Sequence, residues 1–211
     1  NHTSDLPSTG FFRPGSLFVN LECVENDIGA DHPRAMSKGI KQGMISGKGD
    51  LGLDLDKNLS DHGIYLFFDG FDSESVKDAI EWILTKNLLP SSKRPKHLNL
   101  VINSPGGELT AAFALIDVMR GSAIPVHTTG LGQISSCGIL TFMSGERGHR
   151  VLTPNTSILS HQWSWGAGGK EHELFSVQRE FELTRDRMIS HYKKCTNLDE
   201  KTIKKVLLPP H

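Results

Sequence analysis

A chain of 211 residues is long enough for one domain with a real hydrophobic core. Apolar residues make up 37% and charged residues 22%, a globular composition, and no apolar run approaches the ~20 residues a membrane helix needs. The net charge of −1 gives no strong attraction to nucleic acid or anionic lipid, so neither is expected as a partner.

Residues 1 to about 60 are rich in Gly, Pro, Asp and Asn and show little periodicity. They read as an irregular arm with short strands at Ser16–Leu21 and Leu51–Leu55. Gly47-Lys48-Gly49 does not complete a phosphate-binding loop. The start of the chain shows no basic-then-apolar leader, so no signal peptide is expected. Regular structure begins with Ile64–Phe68, whose continuous apolar run predicts a buried strand. Asp72-Ser73-Glu74 supplies capping residues for a helix with Val76, Ala79, Ile80, Ile83 and Leu84 on one face. The basic run Ser92–His97 contains Pro95 and reads as a solvated loop. Leu98–Ile102 predicts the next strand, Asn103–Gly107 a turn, and Leu109, Ala112, Phe113, Ile116 and Met119 the inner face of a second helix.

A strand near Pro125–Thr129 follows, then a small-residue turn at Gly132–Gly138 and an apolar helix at Ile139–Met143. Two short strands are expected at Arg150–Leu152 and Ser157–Ser160. A long helix begins near Lys170, with Leu174, Val177, Phe181 and Met188 facing inward. Leu198–Leu207 predicts a short amphipathic helix. Alternation of strand and helix implies an α/β fold.

The three cysteines, Cys23, Cys137 and Cys195, are widely spaced and odd in number, which gives neither a disulfide framework nor a zinc-type CxxC pair and fits a reducing compartment. The ten histidines are scattered and form no metal-type pair at helical spacing. Three glycosylation sequons, at Asn1, Asn58 and Asn155, have no other sign of secretion beside them.

Three segments carry chemical signal. In Asn103-Ser104-Pro105-Gly106-Gly107, Pro105 fixes one backbone angle and the glycines allow close approach. Free N–H groups at the following helix start can face an oxyanion, although the same sequence also makes an ordinary strand-to-helix turn. In Gly132-Gln133-Ile134-Ser135-Ser136-Cys137-Gly138, a serine at a helix start is either a cap or a nucleophile. Neither serine fits the Gly-x-Ser-x-Gly elbow, because Gln133 and Ile134 stand where the first glycine is required. In Ile158-Leu159-Ser160-His161-Gln162, a histidine at the end of an apolar strand is either a hydrogen-bonded structural residue or a general base.

Taken together with Pro154-Asn155, these motifs resemble the Clp protease proteolytic subunit family, in order and with similar spacing, over roughly residues 60 to 208. The resemblance implies a Clp-type peptidase domain over 61–211, following the arm at 1–60. It implies a crotonase-like α/β fold of repeated ββα units with an outlying helical handle. The expected activity is that of a serine endopeptidase, with Ser136 as nucleophile, His161 as general base, and the backbone N–H groups of Gly107 and Cys137 as the oxyanion hole. Cys137 stands where the family often has Met, and only its N–H is asked to act. The family completes its triad with an acid after the last short helix. Leu207–His211 contains no carboxylate, so the acid is expected beyond His211. Of the nearby carboxylates, Asp199 is expected to cap its helix and Asp186 to lie on an exposed helix face. His161-Gln162-Trp163-Ser164-Trp165 departs from the family's His-Gln-Pro, which implies a changed substrate groove or ring contact.

The resemblance further implies stacked homo-oligomeric rings, commonly heptameric, with a AAA+ unfoldase partner and unfolded protein substrates. It implies no metal or small-molecule cofactor. The expected location is cytoplasmic, or an organelle of bacterial origin. A non-catalytic ring subunit, a crotonase-like acyl-CoA enzyme and a membrane-associated peptidase of related fold are the alternatives.

Overall fold

The computed structural model describes residues 51–161 and 170–208. The strand expected at Ser16–Leu21 and the substitutions at Trp163 and Trp165 lie outside the described residues. Leu51–Leu55, expected as a strand, is instead the first turn of helix α1 (Leu51–Asp61). Leu51, Leu53 and Leu55 alternate like a strand, but the run continues through Lys57 and Leu59 with no proline, and no glycine after Gly52, to break a helix. Trp82 Nε1 donates to Ser60 Oγ at 3.2 Å, which ties α1 to the body of the fold.

A parallel sheet forms the centre, with strands β1 (Ile64–Phe67), β2 (Leu98–Ser104), β3 (Val126–Ser135) and β4 (Arg150–Leu152) adjacent in that order. β3 pairs with β4 through Thr128–Gly130, then with β5 (Ser157–Leu159) through Gln133–Ser135. The α/β class read from the alternation therefore holds. On one face of β2, Leu98, Leu100 and Ile102 are 0% exposed, and on the other Val101 is also buried, as expected for a parallel strand covered on both faces. Helix α2 (Ser73–Leu88) packs on α3 (Leu109–Gly121). α2 starts on a capping box: the Asp72 carboxylate accepts from the Glu74 and Ser75 amides, and Ser75 Oγ accepts from the Asp72 amide. α2 buries Val76, Ala79, Trp82 and Ile83, whereas Leu84, expected on the same face, is exposed.

Between Ile102 and Ser104 the β2–β3 register slips, so that Ser104 pairs with Ile134. Gly132 takes φ +60 in this bulge, and the Asn103 side chain accepts from the Gln133 amide at 3.3 Å. The bulge re-aims the end of β3 toward β5. Two later helices close the fold. α4 (Cys137–Phe142) is buried throughout, and α5 (Glu171–Cys195) buries Met188, Ile189, His191, Tyr192 and Cys195. The inward face expected for α5 exists only in this C-terminal part: Leu174 and Phe181, expected inside, are exposed, as are Phe175 and Leu183. The last amphipathic segment is a turn of α-helix, α6 (Glu200–Thr202), running into a π turn (Ile203–Leu207) closed by the Leu208 amide on the Ile203 carbonyl. Among the described residues, no helix is long and apolar enough to cross a membrane.

His191 locks α5 to the helix that follows the serine turn. It is 2% exposed, with Nε2 2.9 Å from the Leu140 carbonyl and Nδ1 2.9 Å from Arg120 Nη2. Burial first, and the Arg120 charge second, push its pKa down to about 4, so the folded state holds a neutral ring. The unfolded chain protonates this ring near pH 6.5, so stability is full above that pH and falls as pH drops toward 4. That window is worth on the order of 3 kcal/mol. Urea melts between pH 7.5 and 4 are expected to show this loss, and His191→Gln is expected to flatten it.

Candidate active site

The carboxyl ends of β2, β3 and β5 meet at one edge of the sheet, the usual place for a pocket in an open parallel sheet. Ser136 sits at that edge, between the last residue of β3 and the first of α4. Its φ is 52 and its ψ −115, the one positive φ of a non-glycine among the described residues. Such a conformation costs roughly 1–3 kcal/mol, so the surroundings must impose it. On one side, the Ser136 amide donates to the Leu159 carbonyl of β5 at 2.8 Å; on the other, its carbonyl accepts from the Ile139 amide at 3.1 Å. The serine is therefore held on an elbow, although the chain lacks the elbow's glycine two residues earlier.

The space for that elbow comes from the opposing loop. A Cβ on Gly106 would lie 2.6 Å from Ser136 Cβ and 2.9 Å from the Ser135 carbonyl oxygen, and Gly106 adopts φ +99. The loop is fixed from beneath by the segment after β1. Ser104 Oγ donates to the Asp69 carbonyl at 2.6 Å and accepts from the Gly106 amide at 3.2 Å. The Phe71 amide donates to the Gly106 carbonyl, and the Phe71 carbonyl accepts from the Glu108 amide. In this parallel bridge Phe71 bonds to the residues on either side of Gly107, which leaves the Gly107 N–H directed away from it. A Cβ at Gly107 would meet the Phe71 carbonyl oxygen at 2.3 Å, so the bridge requires glycine.

Cys137 supplies the first N–H of α4, which has no acceptor within the helix. Its side chain also acts: Sγ donates to the Gly107 carbonyl at 3.2 Å, joining the two residues expected to form the oxyanion hole. The sequence reading asked only for the amide. Burial pushes the thiol pKa up, which keeps it a neutral donor.

Ser136, Gly107, Cys137 and His161 all line one pocket, together with Leu109, Leu140, Met188 and Tyr192. His161 follows β5 directly. Its neighbour Ser160 donates to the Leu207 carbonyl at 2.6 Å and lies 3.2 Å from the Tyr192 hydroxyl. This anchor sets where the histidine enters the pocket. Ser160 was visible in the sequence as part of a motif, but its partners are far along the chain and gave no local signal. Among the described residues lining the pocket there is no carboxylate. Asp199 caps α6, its carboxylate accepting from the Thr202 amide at 2.8 Å, and Asp186 is exposed beside Arg185.

The fold and site together place a strained serine turn and a histidine at the carboxyl ends of the parallel strands of an α/β protein. The sequence comparisons narrow this further. The Clp protease family model matches residues 52–207. The ATP-dependent Clp protease proteolytic subunit of Deinococcus radiodurans is 30% identical over 158 residues, covering 75% of this chain and 76% of that protein. The chain belongs to the Clp protease family.

Gly106→Ala tests the elbow. The added methyl must displace Ser136, and a shift near 1 Å at a reacting group costs about 100-fold in rate. Fluorophosphonate labelling of Ser136 is expected to slow by about that factor while the secondary-structure spectrum stays unchanged. Labelling at the parental rate would show that the close approach is not needed.

Proposed function

We propose that this chain is a serine endopeptidase subunit that cleaves peptide bonds through a Ser136 acyl-enzyme, within a ring-shaped, ATPase-assisted protein-degrading complex. The observation that carries this reading is the strained Ser136 turn, which shares one pocket with His161 and with the Gly107 and Cys137 backbone. Family membership supports the ring and the Clp ATPase partner, since Clp proteases generally assemble that way.

In this mechanism Ser136 Oγ attacks the scissile carbonyl while His161 accepts its proton. The carbonyl oxygen becomes an oxyanion, held by the N–H groups of Gly107 and Cys137. Collapse of the tetrahedral intermediate breaks the C–N bond, and His161 gives its proton to the leaving amine. Water, deprotonated by His161, then releases the acyl group and restores the serine. Leu109, Leu140 and Met188 give the pocket an apolar wall beside Ser136. An acid that orients His161 is assigned to residues beyond His211. In its favour, Ser160 bonds to the Leu207 carbonyl, so the chain leaving the π turn starts beside the histidine strand.

A non-catalytic ring subunit of the same family is the second reading, favoured by the lack of a carboxylate among the described residues of the pocket. Fluorophosphonate labelling and peptide hydrolysis, measured on the full-length protein and on Ser136→Ala, separate the two. The peptidase reading expects an adduct on Ser136 and at least 1000-fold loss of turnover in the variant, with the assembly mass unchanged by mass photometry. Equal activity in the two proteins, or no adduct in the intact assembly, would overturn it.

A further inference from the structure

At the opposite edge of the sheet, where β3 begins, the fold gathers residues that are scattered in the sequence. His127 lies on β3, and Glu146 and His149 lie on the loop between α4 and β4. One ligand atom from each of the three lies within 4.8 Å of the others. His127 Nε2 is 3.4 Å from Glu146 Oε2, and His149 Nδ1 is 3.9 Å from the same oxygen. The His127 ring also stacks on His149, with centroids 4.1 Å apart, and on its other face against His97 at 4.2 Å.

The backbone holds this arrangement in place. The Glu146 amide donates to the Val126 carbonyl at 2.8 Å, and the Thr128 amide donates to the His149 carbonyl at 3.1 Å. These two bonds clamp the loop residues to the strand positions on either side of His127. The loop closes on itself through the His149 amide and the Glu146 carbonyl at 3.0 Å, with Gly148 at φ +85. Arg150 Nε fixes its start by donating to the Gly145 carbonyl at 2.7 Å. At Gly145 a Cβ would meet Thr128 Oγ1 at 2.3 Å, so the loop can lie this close to β3 only with glycine there.

From this geometry we propose that His127, Glu146 and His149 form a binding site for a divalent transition metal of the zinc class, separate from the Ser136 pocket. Two imidazole nitrogens and one carboxylate oxygen are the donor set such ions prefer. Ligand atoms around a tetrahedral zinc at about 2.0–2.1 Å sit roughly 3.3 Å apart. The separations to Glu146 Oε2, 3.4 and 3.9 Å, are near that spacing, and a turn of the His149 ring completes the set. A bound ion lies in the plane of each imidazole that holds it, so binding tilts His149 out of its stack on His127. His97, on the far face of His127, braces that ring. The fourth position is left to water or to a further donor. Two of the ligands, Glu146 and His149, are half exposed, which gives an ion access from solvent. The ion would pin the α4–β4 loop to the sheet, and the same loop follows the helix that starts at Cys137.

The test uses the full chain, stripped of metal with a chelator and titrated with zinc chloride by calorimetry. One ion per chain is expected, with affinity reduced at least 100-fold in Glu146→Gln/His149→Gln and retained in Ser136→Ala/His161→Ala. Both substituted loop residues are half exposed, so that variant is expected to keep the parental circular dichroism and assembly mass. His127→Asn is expected to weaken binding at least 100-fold and, at saturating zinc, to show one imidazole fewer in the zinc X-ray absorption spectrum. Unchanged affinity in Glu146→Gln/His149→Gln, or loss of the ion in Ser136→Ala/His161→Ala, would overturn the assignment. Neither result depends on whether Ser136 is catalytic.

Discussion

The close approach of Gly106 to Ser136 is the constraint on which the candidate site depends. Two backbone turns from neighbouring strands, β2 and β3, arrive at nearly the same place. They fit because one carries no side chain and the other accepts a positive φ. The register slip between Ile102 and Ser104 makes the meeting possible, since it carries the end of β3 across to β5 while β2 turns into its loop. The Phe71 bridge then fixes the loop from below and turns the Gly107 amide outward. Each bond is worth only about 1 kcal/mol, but together they offset the strain at Ser136.

Much of the fold was legible in the sequence because its strands are apolar and its helices have one apolar face. The body of β2 and much of the α3 face could be read from that pattern, although α3 also buries Ala111 and Leu115, which the reading left out, and only partly buries Leu109 and Phe113. The pattern failed where burial did not follow hydrophobicity. Leu174 and Phe181 have the spacing of an inner face, yet in α5 only the C-terminal part reaches the core. Leu51–Leu55 failed for a different reason, since Leu51 and Leu55, which alternate with Leu53 like a strand, also recur with Leu59 at the i, i+4 spacing of a helix face.

The site was legible as motifs but not as a mechanism. Asn103–Gly107, Ser136 and Ser160-His161 stood out locally, and the structure brings them to one pocket. What could not be read was long-range. The space for the strained Ser136 turn comes from a glycine in another loop, the Cys137 thiol bonds to Gly107, and Ser160 finds Leu207 near the far end of the described chain. The histidine group shows the same limit. His97, His127 and His149 share no helical or strand spacing, and only the parallel pairing of β2 with β3 and the clamped α4–β4 loop bring them together.

The bond from Ser160 to the Leu207 carbonyl also bears on timing. During synthesis the ribosome emits the β3 turn with Ser136 long before it emits the π turn. Until that last turn docks, β5 lacks the anchor that holds its carboxyl end in register with the pocket. The order of residues along the polypeptide therefore puts this tether among the last contacts of the described chain to form, after β5 has paired with β3.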